Sequence, residues 1–195
     1  MQDPTFPDST LGILTGAAPS AERELGAAQH ENEVVSLYEQ FRNRLLRYLL
    51  SLGLSAHDGE EVIQETFLAL FQHLQRGKSR ENLQGWIFRV AHNLGLKQFD
   101  RNLRRSRRLV TGEDEVAKAH ADLRPNPEQQ LVNGERRKRL LAVLRALPEQ
   151  DRWCLNLRLE GLRYREIARV LGMSLGAVSI SLTRSLARLA RADHR

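Results

Sequence analysis

Apolar residues recur at three- and four-residue steps along two stretches of the chain, and the period fails between them. From Glu33 onward, Val34, Leu37, Tyr38, Phe41, Leu45, Tyr48, Leu49 and Leu52 trace one amphipathic helix, which Gly53 stops. Ser55 with Asp58 has the form of a helix start, and Val62, Ile63, Phe67, Leu70, Phe71 and Leu74 make a second apolar stripe ending at Gly77. A third helix is predicted from about Asn82, with Leu83, Trp86, Ile87, Val90, Leu94 and Phe99 on its apolar side. It then turns strongly basic through Arg101, Arg104, Arg105, Arg107 and Arg108. Ahead of these helices, Met1 to about Gln29 mix Pro, Gly, Ala and Ser with acids, so residues 1–30 are expected to be a disordered extension.

Between Leu109 and Asn126 an acidic run, Glu113, Asp114 and Glu115, and two prolines nearby mark a linker. Asn126-Pro127-Glu128 restarts a helix with proline at its first position, where a missing N–H costs nothing. Leu131, Leu140, Leu141, Leu144 and Leu147 form its buried side, with Asn133-Gly134 as a point of interruption. Pro148 divides it from a helix carrying Trp153, Leu155, Leu157 and Leu159, which Gly161 ends. No strand pattern and no internal repeat occurs. The expected fold is all-α: two small helical domains, 31–108 and 127–195, joined by the linker 109–126.

Charge narrows the partners. Thirty Lys and Arg against 24 Asp and Glu give a net +6, and arginine predominates. Its planar fork suits phosphates and base edges, although a basic surface that only keeps the protein soluble has the same composition. The single cysteine, Cys154, allows no intrachain disulfide and no cysteine-rich zinc site. Met1 to Ser9 lack the basic and apolar segments of a secretory signal, and no stretch approaches membrane-spanning length. A soluble, cytoplasmic protein without stable membrane association is expected.

From Tyr164 to Leu186 the chain reads as helix, tight turn, helix. Ala168 permits close helix approach, Gly172 the left-handed turn, and Ile167, Leu171, Leu175, Val178 and Leu182 the small core between them. This is helix-turn-helix spacing, whose second helix lies in a DNA major groove. A plain helical hairpin shares it, but Arg165, Ser174, Ser179, Ser181, Arg184 and Arg188, with Ala177 on the same expected exposed side, offer donors suited to duplex DNA, as do Arg163 and Arg169.

The third helix combines Trp86, Phe88, Arg89, His92 and Asn93 with its basic continuation, including Arg104 and Arg105. Aromatics stack on unpaired bases, amides read their edges and arginines follow the backbone. Trp86 and Phe88 cannot share one helical face, and spacing favours Trp86 as the core residue. Glu61, Gln64 and Glu65 gather on the second helix without a nucleophile or phosphate loop, so acid–base catalysis is not indicated. They form either a solvated face or a docking surface for a basic partner.

In order, HDGEEVIQETFL from His57, QGWIFRVAHNL from Gln84, LPEQDR from Leu147 and the helix-turn-helix resemble the extracytoplasmic-function sigma factors of bacterial RNA polymerase, over about Glu33 to Arg191. The resemblance implies sigma region two followed by region four with no region three between, no catalysis, no cofactor and no metal. It implies that Glu61, Gln64 and Glu65 dock on the beta-prime clamp helices. The loop from about Arg76 to Gln84, with Asn93, would capture a flipped minus-ten base, Trp86, Phe88 and Arg89 lying near the melting surface. Region four would read the minus-thirty-five element and touch the beta flap, and the acidic linker would thread toward the polymerase active site. A monomer when free, bound to promoter DNA in use and held by an anti-sigma factor in many relatives, is the implied life of the protein. The chain departs from the family at Ser179 and Ser181, where basic residues are usual, and at Arg163, where a capping serine is usual. Arg184 keeps the matching basic position. The alternative from another class is a stand-alone helix-turn-helix regulator.

Overall fold

The computed structural model of the chain describes residues 19–109 and 130–193, and all the regular elements in them are helices. In order they are α1 (Pro19–Ser51), α2 (Ala56–Gln75), α3 (Leu83–Leu109), α4 (Gln130–Arg145), α5 (Glu149–Leu159), α6 (Tyr164–Leu171) and α7 (Leu175–Asp193). The acidic linker residues and the helix restart at Asn126-Pro127-Glu128 lie outside the described residues. So does the chain before Pro19.

Two departures from the sequence expectation concern boundaries. Helix α1 starts at Pro19, not Glu33, so residues 19–30 of the expected disordered extension are helical. Ala, Glu, Arg and Gln dominate that segment, and their helix propensity carries it without an apolar stripe. Helix α4 passes through Asn133-Gly134 unbroken. One glycine costs roughly 1 kcal/mol in a helix, which is too little to end one that is packed on a neighbour.

Helices α1–α3 enclose a first core in which Phe41, Leu45, Tyr48, Leu49, Ile63, Leu70 and Phe88 are almost wholly buried. Phe88 meets Phe41 and Tyr48 ring to ring, at centroid distances of 6.4 and 5.8 Å. Phe88 is therefore the core residue and Trp86 the half-buried one, the reverse of the expected assignment. The buried face of α3 runs through Ile87, Phe88, Ala91 and His92. Gly95 extends it: a Cβ there would stand 2.8 Å from Leu49 Cδ2, so glycine lets α1 and α3 approach. At the start of α2, Asp58 N donates to Ser55 Oγ (3.1 Å), while the Asp58 carboxylate accepts from Gln98 (3.0 Å) and Asn102 (3.1 Å) of α3. The Ser55 hydroxyl, with the two amides, holds its carboxyl below the usual range against the opposing effect of burial.

Helices α4–α7 enclose a second core built on Leu147, Leu155, Leu157, Leu162, Ile167, Val178 and Leu182. Helices α6 and α7 meet at 106°, the crossing of a helix-turn-helix, and Gly172 makes the turn at φ 65°, ψ 27°. Leu175, expected in this core, is instead exposed at the start of α7. Asp151 of α5, 3% exposed, ties α7 down. It accepts from Ser181 Oγ (2.8 Å), from Arg184 Nε (3.0 Å) and from Arg184 Nη2 (2.7 and 2.8 Å). Burial alone would raise the Asp151 carboxyl, but these hydrogen bonds and the charges of Arg184 and Arg188 hold it below the usual range.

The two helical groups pack on each other, α3 against α6 and α1 against α5. Across this seam the His92 ring stands edge-on to Trp153, 5.1 Å between centroids. The His92 Nδ1 lies 2.8 Å from the buried Tyr48 hydroxyl. Burial lowers the His92 pKa to about 4.

Two outcomes follow for stability. The unfolded chain takes up a proton at His92 near pH 6.5, the folded chain only near pH 4. Stability from this group is thus intact above pH 6.5 and falls by up to about 3 kcal/mol as the pH drops toward 4. Urea unfolding between pH 7 and 4 should show that slope, and His92→Gln should flatten it. Asp151→Ala strands the buried Ser181 hydroxyl and frees Arg184, with an expected loss of about 2 kcal/mol. The fluorescence of Trp153, on the same helix, reports the transition.

Candidate nucleic-acid interface

The amino end of α7 is the natural duplex-facing surface of a helix-turn-helix. Ser174 accepts from the Ala177 amide (3.1 Å) and so caps α7, which occupies its hydroxyl in ordering the helix. Ala177 is half-buried, and Ser179 is exposed. Ser181 is 2% exposed and bonded to Asp151, so the expected DNA contact from it is corrected: it shares the buried face of Val178, Leu182 and Ser185. Arg184 is about half exposed, but Nε and Nη2 point at Asp151, leaving Nη1 for an outside partner. A forked grip on a guanine edge is therefore closed to it in this arrangement. Arg188 is half-buried beside the same carboxylate. Arg165 and Arg169 stand exposed on α6, and the Arg163 amide donates to Glu166 Oε2 (2.6 Å), which supplies the acidic half of a capping box.

The second surface is α3 with the segment before it. Asn82, at φ 53°, starts the helix by accepting from the Gly85 amide (3.2 Å). His73 Nε2 donates to the Ser79 carbonyl (2.9 Å) and its ring lies 4.7 Å from Trp86, so the loop is pinned at its base. Arg89 and Asn93 are exposed one turn apart, and Arg104 and Arg105 continue the exposed basic stretch. Phe88 and His92 are buried, so the structure corrects their expected contact with unpaired bases. Both carry an apolar or uncharged role in the core instead.

Glu61, Gln64 and Glu65 are exposed on a single face of α2. Leu68, one turn further, is 59% exposed on that face, and sequence reading missed it. Its signal was spacing: it falls outside the stripe of Val62, Ile63, Phe67 and Leu70. His57 Nε2 lies 3.3 Å from Glu61 at the head of the row.

The first two surfaces meet. A cleft of about 1240 Å³ is lined by Asn82 and Gln84 from the start of α3, and by Arg163, Arg165, Arg169 and Ser179 from the helix-turn-helix. No single helix among the described residues is long and apolar enough to cross a membrane.

Comparison with known proteins agrees with this layout. The family model for sigma-70 region 2 matches residues 37–107, and that for sigma-70 region 4 matches residues 137–189. Among curated proteins, the chain is 33% identical over 155 residues to the ECF RNA polymerase sigma factor SigE of Mycolicibacterium smegmatis, covering 78% of this chain and 58% of that protein. It is 25% identical over 158 residues to the RNA polymerase sigma factor YlaC of Bacillus subtilis, covering 80% of this chain and 90% of that one. Two solved structures share the fold. The sigma factor RpoE of Bartonella quintana, in complex with the anti-sigma factor NepR, aligns with a TM-score of 0.60 at 18% identity over 82% of this chain and 96% of that one. CnrH, in complex with the cytosolic domain of CnrY, aligns at 0.55 and 24% identity over 88% and 96%. With region 2 on α1–α3, region 4 on α4–α7 and relatives of this kind matching across both, the chain belongs to the extracytoplasmic-function sigma factors.

Proposed function

We propose that the chain is a dissociable cytoplasmic subunit of RNA polymerase that recognises promoters and opens them, without catalytic chemistry of its own. The observation that carries this reading is the exposed row Glu61, Gln64, Glu65 and Leu68 on α2. Like charges one turn apart weaken a helix by a few tenths of a kcal/mol, and an exposed leucine adds no folding energy. A row of this kind fits a basic, partly apolar surface such as the polymerase clamp helices. A stand-alone helix-turn-helix regulator has no use for it.

Division of labour follows from what each surface leaves open. Asn93, Arg89 and the half-buried Trp86 suit an unpaired minus-ten strand, with the loop 76–84 beside them and Arg104 and Arg105 along the backbone. Ser179, Ala177, Arg165 and Arg169 suit the minus-thirty-five duplex. Arg184 serves chiefly to hold α7 on α5, with Nη1 left for a phosphate. The exposed Ile180 and Leu186 of α7 give the polymerase flap or an anti-sigma protein an apolar hold.

Transcription with purified core polymerase on a promoter found by run-off mapping tests the whole reading. The full chain should bind core and initiate. Glu61→Lys with Glu65→Lys should lower core affinity at least about tenfold. Asn93→Ala should leave core binding intact and slow opening of the linear promoter, while a premelted template restores it. Failure of the unaltered chain to bind core polymerase contradicts the proposal.

A further inference from the structure

From Leu175 to Thr183, the first half of α7, the chain carries no charged residue. That half of a recognition helix is the part that meets base edges. Its outward side is Gly176, Ser179, Ile180 and Thr183, all exposed and set three or four residues apart along one face. Ile180 is 66% exposed, so it adds little to the region 4 core.

Base chemistry then limits what this surface can tell apart. Guanine O6 and N7 are read by an arginine fork or a lysine, and adenine N6 and N7 by the amide of Asn or Gln. None of these four residue types occurs between Leu175 and Thr183. The next cation, Arg184, turns Nε and Nη2 onto Asp151 at 3.0 and 2.7 Å, and Arg188 after it is half-buried. The hydroxyls of Ser179 and Thr183 pair with donors and acceptors alike and so discriminate poorly. What remains to discriminate is apolar, and the apolar group that the major groove offers is the 5-methyl of thymine.

Affinity has a separate source. Arg163, Arg165 and Arg169, at and within α6, are exposed and line the same cleft as Gly176 and Ser179. The first helix of a helix-turn-helix crosses the DNA backbone, where cations hold phosphates whatever the sequence.

We infer, on the promoter-reading role proposed above, that Ile180 and Thr183 read thymine methyl groups in the minus-thirty-five duplex and that the element this chain selects is rich in A·T pairs. Asp151 then acts as a positioning residue for specificity, because it occupies the fork of the cation nearest the base edges. Ile180 is equally open to the apolar surface of a protein. Its neighbours favour DNA: a glycine and two hydroxyls on its own face, and arginines on the adjoining helix.

The full chain bound to core polymerase selects from duplexes built on the run-off-mapped promoter, with the minus-thirty-five region randomised. Deoxyuridine then replaces each selected thymine in turn, which removes the methyl and keeps every hydrogen-bonding group. A·T pairs should dominate the selected element, and at one position or more deoxyuridine should weaken binding about fourfold. Ile180→Ala or Thr183→Ser, which keeps the hydroxyl, should erase that penalty. Both side chains are exposed, so neither change disturbs a core. A selected element dominated by G·C pairs, deoxyuridine bound as tightly as thymine, or a penalty that survives both substitutions overturns the assignment. So does Ile180→Ala lowering core affinity with the penalty unchanged, an outcome that gives Ile180 to a protein partner. If the unaltered chain does not bind core polymerase, the sigma reading itself fails; if it binds and initiates but ignores the methyl groups, only the thymine assignment does.

Discussion

A buried carboxylate at the end of a helix has to find cations, and in this chain Glu160 finds them 113 residues back, on α1. That pairing lies in the seam between the two helical regions, where α5 meets α1, Trp153 meets the edge of His92, and the helix-turn-helix stands beside the loop that starts α3. The seam is polar on one side and aromatic on the other.

Within each region a carboxylate does the local fixing. Asp58 joins the start of α2 to the basic part of α3 through Gln98 and Asn102, which steadies the helix that carries Asn93. Asp151 joins α5 to α7 through Ser181 and Arg184, which sets the angle at which the recognition helix is presented. Both stay ionised because their hydrogen bonds outweigh burial. The proposed functional faces are what these anchors leave outside: the row from Glu61 to Leu68, the pair Arg89 and Asn93, and the exposed amino end of α7.

Much of the fold was legible because helix periodicity and glycine stops are local signals. Gly53, Gly77, Gly161 and Gly172 each take positive φ just past a helix end. The turn geometry of the helix-turn-helix followed from Gly172 and the apolar spacing around it. Less of the candidate site was legible, because polar residues on a buried face look like surface donors until their partners are known. Ser181 pairs with a residue 30 positions upstream and His92 with one 44 upstream. Spacing did hold a clue in each case: His92 lies one turn from Phe88, and Ser181 lies between Val178 and Ser185 on one face. Favouring Trp86 over Phe88 missed that alternative face of α3. Leu68 escaped notice for the opposite reason, since a leucine in an apolar helix reads as core until its face is fixed.

Promoter recognition by both regions, as proposed, requires region 2 and region 4, which pack on each other through α3 with α6 and α1 with α5, to stand apart on core RNA polymerase. Pulsed electron resonance between spin labels at Gln72 of α2 and Thr183 of α7, both exposed, reads that separation directly. Alone, the chain should give one short, narrow distance distribution. With core RNA polymerase bound, the distribution should move to several tens of ångströms longer, as promoter spacing of roughly 85 Å demands. An unchanged distance in a chain shown to be bound to core would contradict the account.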